Sequence, residues 1–189
     1  MFIMSLELIK RQFTIKEYHQ MPAAGIIKES ERVELIRGEI VKMSPIGRFH
    51  AACVNRLVRI FTREIGDRAI VAPQNPVELD DYSEPQPDIG LLEPRPDFYA
   101  SGHPKPADIL LIVEVADSTI KYDREVKVPL YAEDKIREVW LVDINQQCLE
   151  VYREPTPNGY AQVEKFQRGQ SLSIQRFPDL AIQVAEILG

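Results

Sequence analysis

PDIGLLE (residues 87–93) and DILLIVEVAD (residues 108–117) are two runs rich in Ile, Leu and Val, and both have the length of a β-strand. Asp88 stands at the very start of the first run, and Glu114 lies near the end of the second. Burying an unpaired ionised carboxylate costs on the order of several kcal/mol, so Glu114 must find a cation, a hydrogen-bond donor or a proton. A structural salt bridge would also satisfy it.

The sequence on either side of these runs predicts one sheet with helices packed against it. Residues 47–65 place apolar side chains at spacings of three and four, which predicts an amphipathic helix, and a further strand is expected from residue 69. Residues 122–134 have a helical pattern that Pro129 should kink, and residues 138–144 are typical of a strand. The order helix, strand, strand, strand, helix, strand predicts an α/β (α+β) fold with one mixed β-sheet.

A β-hairpin is expected on each side of this core. Residues 32–43 alternate Val, Leu and Ile with charged residues around Arg37-Gly38, which predicts an N-terminal hairpin. Residues 148–153 and 159–166 flank a turn rich in Pro and Gly, which predicts a C-terminal hairpin.

The remaining segments are shorter. Thr14 and Glu17 have the spacing of a capping box, so a short helix is expected to run to about Met21. Residues 93–107 hold four prolines, which predicts a surface loop. Residues 180–188 form a short amphipathic segment at the end of the chain.

Length and composition favour an ordinary folded protein. The 189 residues fit one domain, 1–189, and 44% hydrophobic with 28% charged residues is close to the average for soluble domains. Cys53 and Cys148 lack the spacing of a zinc site and are expected to be buried free thiols. There is no run of about 18 apolar residues and no secretory leader pattern, so we expect a cytoplasmic protein with no membrane partner.

The net charge of −6 argues against a protein that coats nucleic acid through a basic face. Arg56, Arg59 and Arg63 do form a basic stripe on the first core helix, but such a stripe is most often a solvated face. A metal-dependent phosphodiesterase needs an excess of carboxylates, because the cations that they hold supply the local positive charge.

Asp88 and Glu114 are therefore the candidate centre of a metal site. Most of the 26 residues between them (114 − 88) belong to the proline-rich loop, so neighbouring strands can bring them together. Two carboxylates suit a hard cation such as Mg²⁺, with Mn²⁺ as an alternative, and the backbone carbonyl of Val115 could be a third ligand. Lys127 lies on the following helix and could stabilise the transition state, and Tyr131, one turn later, would shelter it. A solvated surface position is the alternative for Lys127.

These blocks together resemble a known superfamily. Pro87-Asp88 followed by Glu114-Val115-Ala116 on the next strand is similar to the PD-(D/E)XK restriction-endonuclease-like superfamily. More closely, VELIRGEIVKMSP, the helix beginning near His50, QPDI, IVEVADST, DREVKVPLYA and EVWLVD resemble the Uma family of bacterial proteins assigned as endonucleases and catalogued as a domain of unknown function. The resemblance runs from about Phe13 to Leu188 and implies a restriction-endonuclease-like core.

The resemblance also implies roles for single residues. It makes Asp88 and Glu114 metal ligands and Lys127 the catalytic lysine. Glu34 becomes a candidate for an additional acidic ligand, and His50 for a phosphate or water contact. Without the resemblance, Glu34 would be a solvent-facing strand residue and His50 a capping or core residue.

One position departs from the superfamily pattern, and two further residues are weaker candidates. The pattern has lysine two residues after the glutamate, where this chain has Ala116, and Lys127 fits a lysine relocated to the neighbouring helix. Gln74 and Tyr131 are candidates for substrate contact, although a glutamine close to prolines is usually a turn residue.

The function expected from the sequence is a Mg²⁺-dependent endonuclease that hydrolyses nucleic acid, with DNA as the favoured substrate. A homodimer is compatible with cleavage of two strands. The alternative is a binding or assembly module that uses a nuclease fold with weak or no catalysis, since fold does not fix function. A metal-dependent hydrolase of small phosphate esters is a third reading.

Overall fold

The computed structural model describes residues 10–28 and 30–189; the first nine residues of the expected domain and Glu29 lie outside that range. The helices are α1 Ile15–Gln20, α2 Arg48–Ile65, α3 Ile120–Tyr122, a π-helical turn Asp123–Lys127, α4 Val128–Glu133 and α5 Val184–Leu188. The strands are β1 Val33–Ile36, β2 Glu39–Lys42, β3 Ile70–Pro73, β4 Ile89–Leu92, β5 Ile109–Ala116, β6 Glu138–Asp143, β7 Cys148–Thr156, β8 Gly159–Gln167, β9 Ser171–Ile174 and β10 Phe177–Gln183.

A six-stranded sheet in the order β3-β4-β5-β6-β7-β8 forms the centre of the fold. Strands β5 and β6 are parallel, and the other neighbouring pairs are antiparallel. The helical segment 120–133 is the crossover that a parallel pair requires. The predicted α/β class, the mixed sheet and the element order are confirmed.

Helices cover both faces of this sheet. On one face, α2, α5 and the β9–β10 hairpin pack against side chains such as Val113, Val115 and Trp140. On the other face, α4 packs against Ile112 and Leu141. A strand buried on both faces needs apolar side chains at successive positions, which explains why β4 and β5 do not alternate with polar residues. Within residues 10–28 and 30–189, none of the helices combines the length and apolarity needed to cross a bilayer.

The predicted N-terminal hairpin is the β1–β2 pair. Arg37 and Gly38 have φ angles of 48° and 75°, as the two central residues of a type I′ turn require. The predicted capping box is also present, since the side chain of Thr14 accepts from the Glu17 backbone N–H and Glu17 accepts from that of Thr14. The backbone of Glu84 pairs with Leu35, which fixes the hairpin against the segment before β4.

The C-terminal part of the chain differs from the expectation in two ways. The predicted C-terminal hairpin, β7–β8, extends the main sheet because β7 pairs with β6 along its length. A second hairpin, β9–β10, was not predicted, and the expected amphipathic segment 180–188 divides between β10 and α5. The pairing of β9 with β10 shifts register between Phe177 and Ile182, so neither strand has a long regular alternation.

A π-helical turn interrupts the helix that was predicted over residues 122–134. The N–H of Val128 donates to the carbonyl of Asp123, five residues back. Pro129 has no N–H and its ring clashes with the preceding turn, so an ordinary α-helical hydrogen bond cannot form there. The predicted distortion near Pro129 therefore takes the form of a wider turn, which changes the direction in which the side chains before the proline project.

We expect Gly38→Ala to destabilise the fold by about 2 kcal/mol or more, because a left-handed residue with a Cβ is strained and the site has no room. A Cβ at position 38 would lie 2.4 Å from Cβ of Gln12. Gly25→Ala is the matched control, since Gly25 also has a positive φ but its added Cβ would meet nothing within 4 Å. Urea denaturation should give a loss of only about 1 kcal/mol for the control. Equal losses in both variants would contradict the close approach.

Candidate active site

A cavity of about 420 Å³ opens at the end of the sheet where β4 begins and β5 ends. The β1–β2 hairpin and the loop after it form one wall, the first turn of α2 a second, and residues 117–127 a third. The charged and hydrogen-bonding side chains that line the cavity are Arg32, Glu34, Lys42, Ser44, His50, Gln86, Asp88, Glu114, Asp117, Ser118, Thr119, Tyr122, Asp123 and Lys127.

Asp88 lies opposite Glu114 at the end of the antiparallel β4–β5 pair. Ile89 pairs with Val113, so one step further along the same register brings Asp88 opposite Glu114, on the same face of the sheet. The Val115 backbone N–H donates to Oδ2 of Asp88 at 2.8 Å, and Nε2 of His50 lies 2.9 Å from Oδ1. Both oxygens of Asp88 are therefore held in place.

Glu114 belongs to a buried network that joins four elements: β1, β5, the π-helical turn and α4. Nζ of Lys127 lies 2.8 Å from Oε1 of Glu114 and 3.3 Å from Oε2 of Glu34. The hydroxyl of Tyr131 donates to the same Glu114 oxygen at 2.5 Å. Glu34, Glu114 and Lys127 are each no more than 4% exposed. The Gln86 backbone N–H also donates to Glu34, at 3.1 Å.

Buried negative charge exceeds buried positive charge in this wall of the cavity. Glu34, Glu114 and Asp123 are all buried, and Lys127 is the one buried ammonium among them. Burial raises the pKa of Glu114 to about 8. The carboxylates of Asp123 and Asp88 also raise this pKa, whereas the Lys127 ammonium lowers it. Burial also raises the pKa of Asp123. Such a site can be neutralised by extra protons or by a bound cation.

Lys127 itself remains charged. Burial opposes the charged form, but Glu114, the Tyr131 hydroxyl and Glu34 together raise the pKa of Lys127 well above its ordinary value. The alternative of a solvated surface lysine does not fit a side chain that is 4% exposed. The ammonium is fixed next to a carboxylate that opens onto the cavity.

His50 and Tyr122 bring two buried polar atoms to the cavity wall. Nδ1 of His50 and the hydroxyl of Tyr122 have no hydrogen-bond partner among the described residues. The hydrogen bond to Asp88 raises the pKa of His50. Buried polar atoms are usually paired, so unpaired ones beside a cavity are typical of a site that binds something else.

The structure places two of the expected site residues outside the cavity wall. Tyr131 is completely buried and does not line the cavity; its hydroxyl bonds to Glu114. Gln74 is also absent from the cavity wall, and its backbone N–H donates to the carbonyl of Asp88. Val115 lines the cavity and its N–H bonds to Asp88, while its carbonyl stays a predicted metal ligand.

Sequence reasoning missed several residues of the cavity. Tyr122 and Asp123 lie with Lys127 within the helix predicted over residues 122–134. Of the three, only Lys127 was predicted as a site residue. Asp123 is buried and accepts from the Thr119 hydroxyl at 2.7 Å. Its spacing of four residues from Lys127 would place both on one helix face, and that was the signal that could have found it.

The donor chemistry of the cavity suits a hard divalent cation. Asp88, Glu114 and Glu34 offer carboxylate oxygens, which Mg²⁺ and Mn²⁺ prefer. A second cluster of possible metal ligands in the described chain consists of His19, Glu84 and His103. None of these residues lines the cavity, and one ligand atom from each lies within 4.8 Å of the others.

Comparisons with known proteins identify the family and agree with the fold. The Uma2 family, described as "Putative restriction endonuclease", matches residues 15–185. A solved structure described as that of "a putative nuclease belonging to DUF820 from Anabaena variabilis ATCC 29413" is similar to this chain, with a TM-score of 0.70 and 16% identity, over 93% of this chain and 97% of that one. At that identity the likeness shows the fold. No curated protein matches the sequence.

The raised pKa of Glu114 predicts how the stability of the metal-free protein depends on pH. A carboxyl whose folded-state pKa lies above its unfolded value stabilises the fold at low pH, and this contribution is lost as the pH rises towards the folded-state pKa. With a value of about 8 in the fold, Glu114 should lose it between about pH 5 and 8. The stability of Glu114→Gln relative to wild type should therefore rise over that range, by more than about 1 kcal/mol.

Urea denaturation in EDTA at several pH values measures this difference. Glu125→Gln is the matched control, because Glu125 lies in the π-helical turn that contains Lys127, with its side chain 61% exposed. Its stability should parallel that of the wild type. Parallel curves for Glu114→Gln as well would show that Glu114 is ionised throughout.

Proposed function

Because this chain belongs to the Uma2 family, we propose that it is a metal-dependent endonuclease that hydrolyses phosphodiester bonds of DNA. The observation that carries the proposal is the group of Asp88, Glu114 and Lys127 in the wall of one open cavity, with the ammonium 2.8 Å from a carboxylate oxygen. The family and the similar nuclease structure support a nuclease-like role. Magnesium dependence and the DNA substrate are the proposed part.

Asp88 and Glu114 would hold a Mg²⁺ ion, with Mn²⁺ as a substitute, and Glu34 is the further acidic candidate. The carbonyl of Val115 stays a predicted ligand. When bound, the cation lowers the pKa of a coordinated water and offsets charge that develops on the phosphodiester. The buried excess of carboxylates supports cation binding, because a cation would replace the extra protons that the site otherwise takes up.

The side chains of the protein have separate tasks in this proposal. Lys127 stabilises negative charge on the phosphate or orients the attacking water from its fixed position beside Glu114. His50 positions Asp88 through the 2.9 Å contact with Oδ1, in addition to the phosphate or water contact that was predicted for it. Tyr131 is a positioning residue, since its hydroxyl fixes one oxygen of Glu114.

Phosphate groups of DNA would meet basic side chains at the cavity. Arg32 and Lys42 line it and are partly or fully exposed. The arginine stripe of α2 is a weaker candidate, because Arg56 donates to the carbonyls of Ile187 and Leu188 and thereby holds α5.

The enzyme is proposed to be a single-domain, cytoplasmic homodimer. We place residues 1–189 in one domain, since the main sheet is continuous from β3 to β8. Cytoplasmic location is supported by Cys53 and Cys148, which are both buried free thiols. A homodimer would give two active centres for the two strands of a duplex.

One observation favours the alternative of a binding or assembly module with weak catalysis. Lys127 and Tyr131 both bond to the same oxygen of Glu114, which weakens that oxygen as a metal ligand. A supercoiled plasmid incubated with Mg²⁺ or Mn²⁺ separates the two functions. Cleavage by the wild type supports the endonuclease, whereas binding of the plasmid without cleavage in either metal supports the module.

Asp88→Asn and Glu114→Gln should abolish cleavage, because each removes a charged metal ligand and keeps the shape of the side chain. Calorimetry should show Mg²⁺ binding lost in both variants, while circular dichroism shows that they fold. Unchanged Mg²⁺ affinity in both would refute the assignment of the ligands.

Lys127→Ala should lower the cleavage rate by about 100-fold or more, the usual cost of losing one electrostatic stabiliser. Lys121→Ala is the matched control, because Lys121 precedes Lys127 on the same helical segment and its side chain is 82% exposed. This variant should cleave at the wild-type rate.

The loss of Lys127 leaves buried carboxylates without their partner, so the folding of Lys127→Ala must be checked and Lys127→Arg must be tested beside it. A planar guanidinium cannot replace the compact ammonium, so Lys127→Arg should also be slow. Wild-type cleavage by folded Lys127→Ala would exclude Lys127 from catalysis, whereas wild-type cleavage by Lys127→Arg alone would show that any cation at this position is sufficient.

A further inference from the structure

Two of the three histidines in the chain lie together, away from the cavity, with a buried carboxylate between them. His19 is in the last turn of α1, Glu84 lies in the segment before β4, and His103 belongs to the proline-rich loop. One ligand atom from each, a ring nitrogen or a carboxylate oxygen, lies within 4.8 Å of the others. Three segments that are distant in sequence therefore bring their side chains to one point.

The three side chains differ in exposure in a way that suits a ligand set. Glu84 is 5% exposed and forms the floor, whereas His19 and His103 are both exposed at the surface. Nε2 of His19 lies 2.7 Å from Oε2 of Glu84, and the two imidazole rings lie with centroids 6.1 Å apart. Backbone hydrogen bonds between Glu84 and Leu35 in β1 fix the main chain that carries this carboxylate. The exposed side leaves room for water.

We propose that His19, Glu84 and His103 bind a zinc-class transition-metal ion at a second site. Two imidazoles and one carboxylate, with a water as fourth ligand, make a tetrahedral zinc set, whereas Mg²⁺ prefers oxygen ligands. With bonds of about 2.1 Å, neighbouring ligand atoms of such a shell lie about 3.4 Å apart. The three atoms are already within 4.8 Å, so small side-chain rotations close the set. The ion replaces the hydrogen bond between His19 and Glu84.

This ion would connect α1 and the proline-rich loop to the segment that leads into the active site. Glu84 precedes Gln86 and Asp88 by two and four residues, and both of these line the cavity. Glu84 also pairs with Leu35, the neighbour of Glu34 in β1. The second site therefore stabilises the backbone behind the cavity and contributes no group to it. The inference does not depend on the nuclease activity.

The experiment uses the full-length protein after removal of metal with EDTA. Titration with Co²⁺, followed by visible absorbance, and with Zn²⁺, followed by calorimetry and thermal unfolding, should give one equivalent at this site and a raised Tm. His103→Ala should weaken binding by about 100-fold or more, since even the loss of an outer partner of a ligand costs about 10–100-fold. His103 is exposed, so this variant keeps its fold. His19→Ala should have the same effect on affinity.

Two controls separate this site from the cavity and from non-specific binding. Gln20→Ala changes an exposed neighbour of His19 on α1 and should leave the Zn²⁺ affinity unchanged. Glu114→Gln should keep the Zn²⁺ equivalent while it loses Mg²⁺ binding. Unchanged Zn²⁺ affinity in His19→Ala and His103→Ala, or loss of the Zn²⁺ equivalent in Glu114→Gln, would overturn the second site.

Discussion

The ion pairs of the Lys127 ammonium with Glu114 and Glu34 are the interaction on which the site and its surroundings depend. Its two partners lie on β5 and β1, and Lys127 itself lies in the π-helical turn. Breaking a buried pair by removal of one partner costs about 3–5 kcal/mol, because the other charge stays buried without compensation. The position of the N-terminal hairpin, the end of the central strand and the crossover helix are thus coupled through one charged group.

This coupling explains why a hairpin outside the main sheet is part of the cavity. β1 and β2 form a two-stranded sheet of their own. Glu34 points from β1 to Lys127 and also accepts from the Gln86 backbone N–H, at 3.1 Å. The hairpin is therefore attached to the core by charged hydrogen bonds as well as by apolar packing. In a low-dielectric interior such bonds are strong when every partner is present, and costly when one is missing.

The parts of the site that could be predicted from sequence are those set by local periodicity. Asp88 directly precedes β4 and Glu114 lies near the end of β5, so strand length and loop position were enough to bring them together. The contact between Lys127 and Glu34 joins residues far apart in the chain and depends on how the hairpin packs, which no local pattern encodes. Tyr131 shares a helix face with Lys127, but one turn further along its ring packs in the apolar cluster on the sheet and only its hydroxyl reaches Glu114. The β9–β10 hairpin was missed because its strands are short and irregularly paired.

The environment of Ala116 gives a physical reason for a lysine on the helix. Position 116 projects to the same face of β5 as Glu114, but it is completely buried in the apolar cluster that includes Val128 and Leu141. An ammonium at that position would have to leave this cluster or lie unpaired within it, which costs several kcal/mol by order of magnitude. From the π-helical turn, Lys127 reaches Glu114 beside a second carboxylate, Glu34, which offsets its desolvation. The position of Lys127 on the helix and the burial of Glu34 in the hairpin therefore depend on each other. The ammonium can be buried when it comes from the helix because Glu34 is its second carboxylate partner.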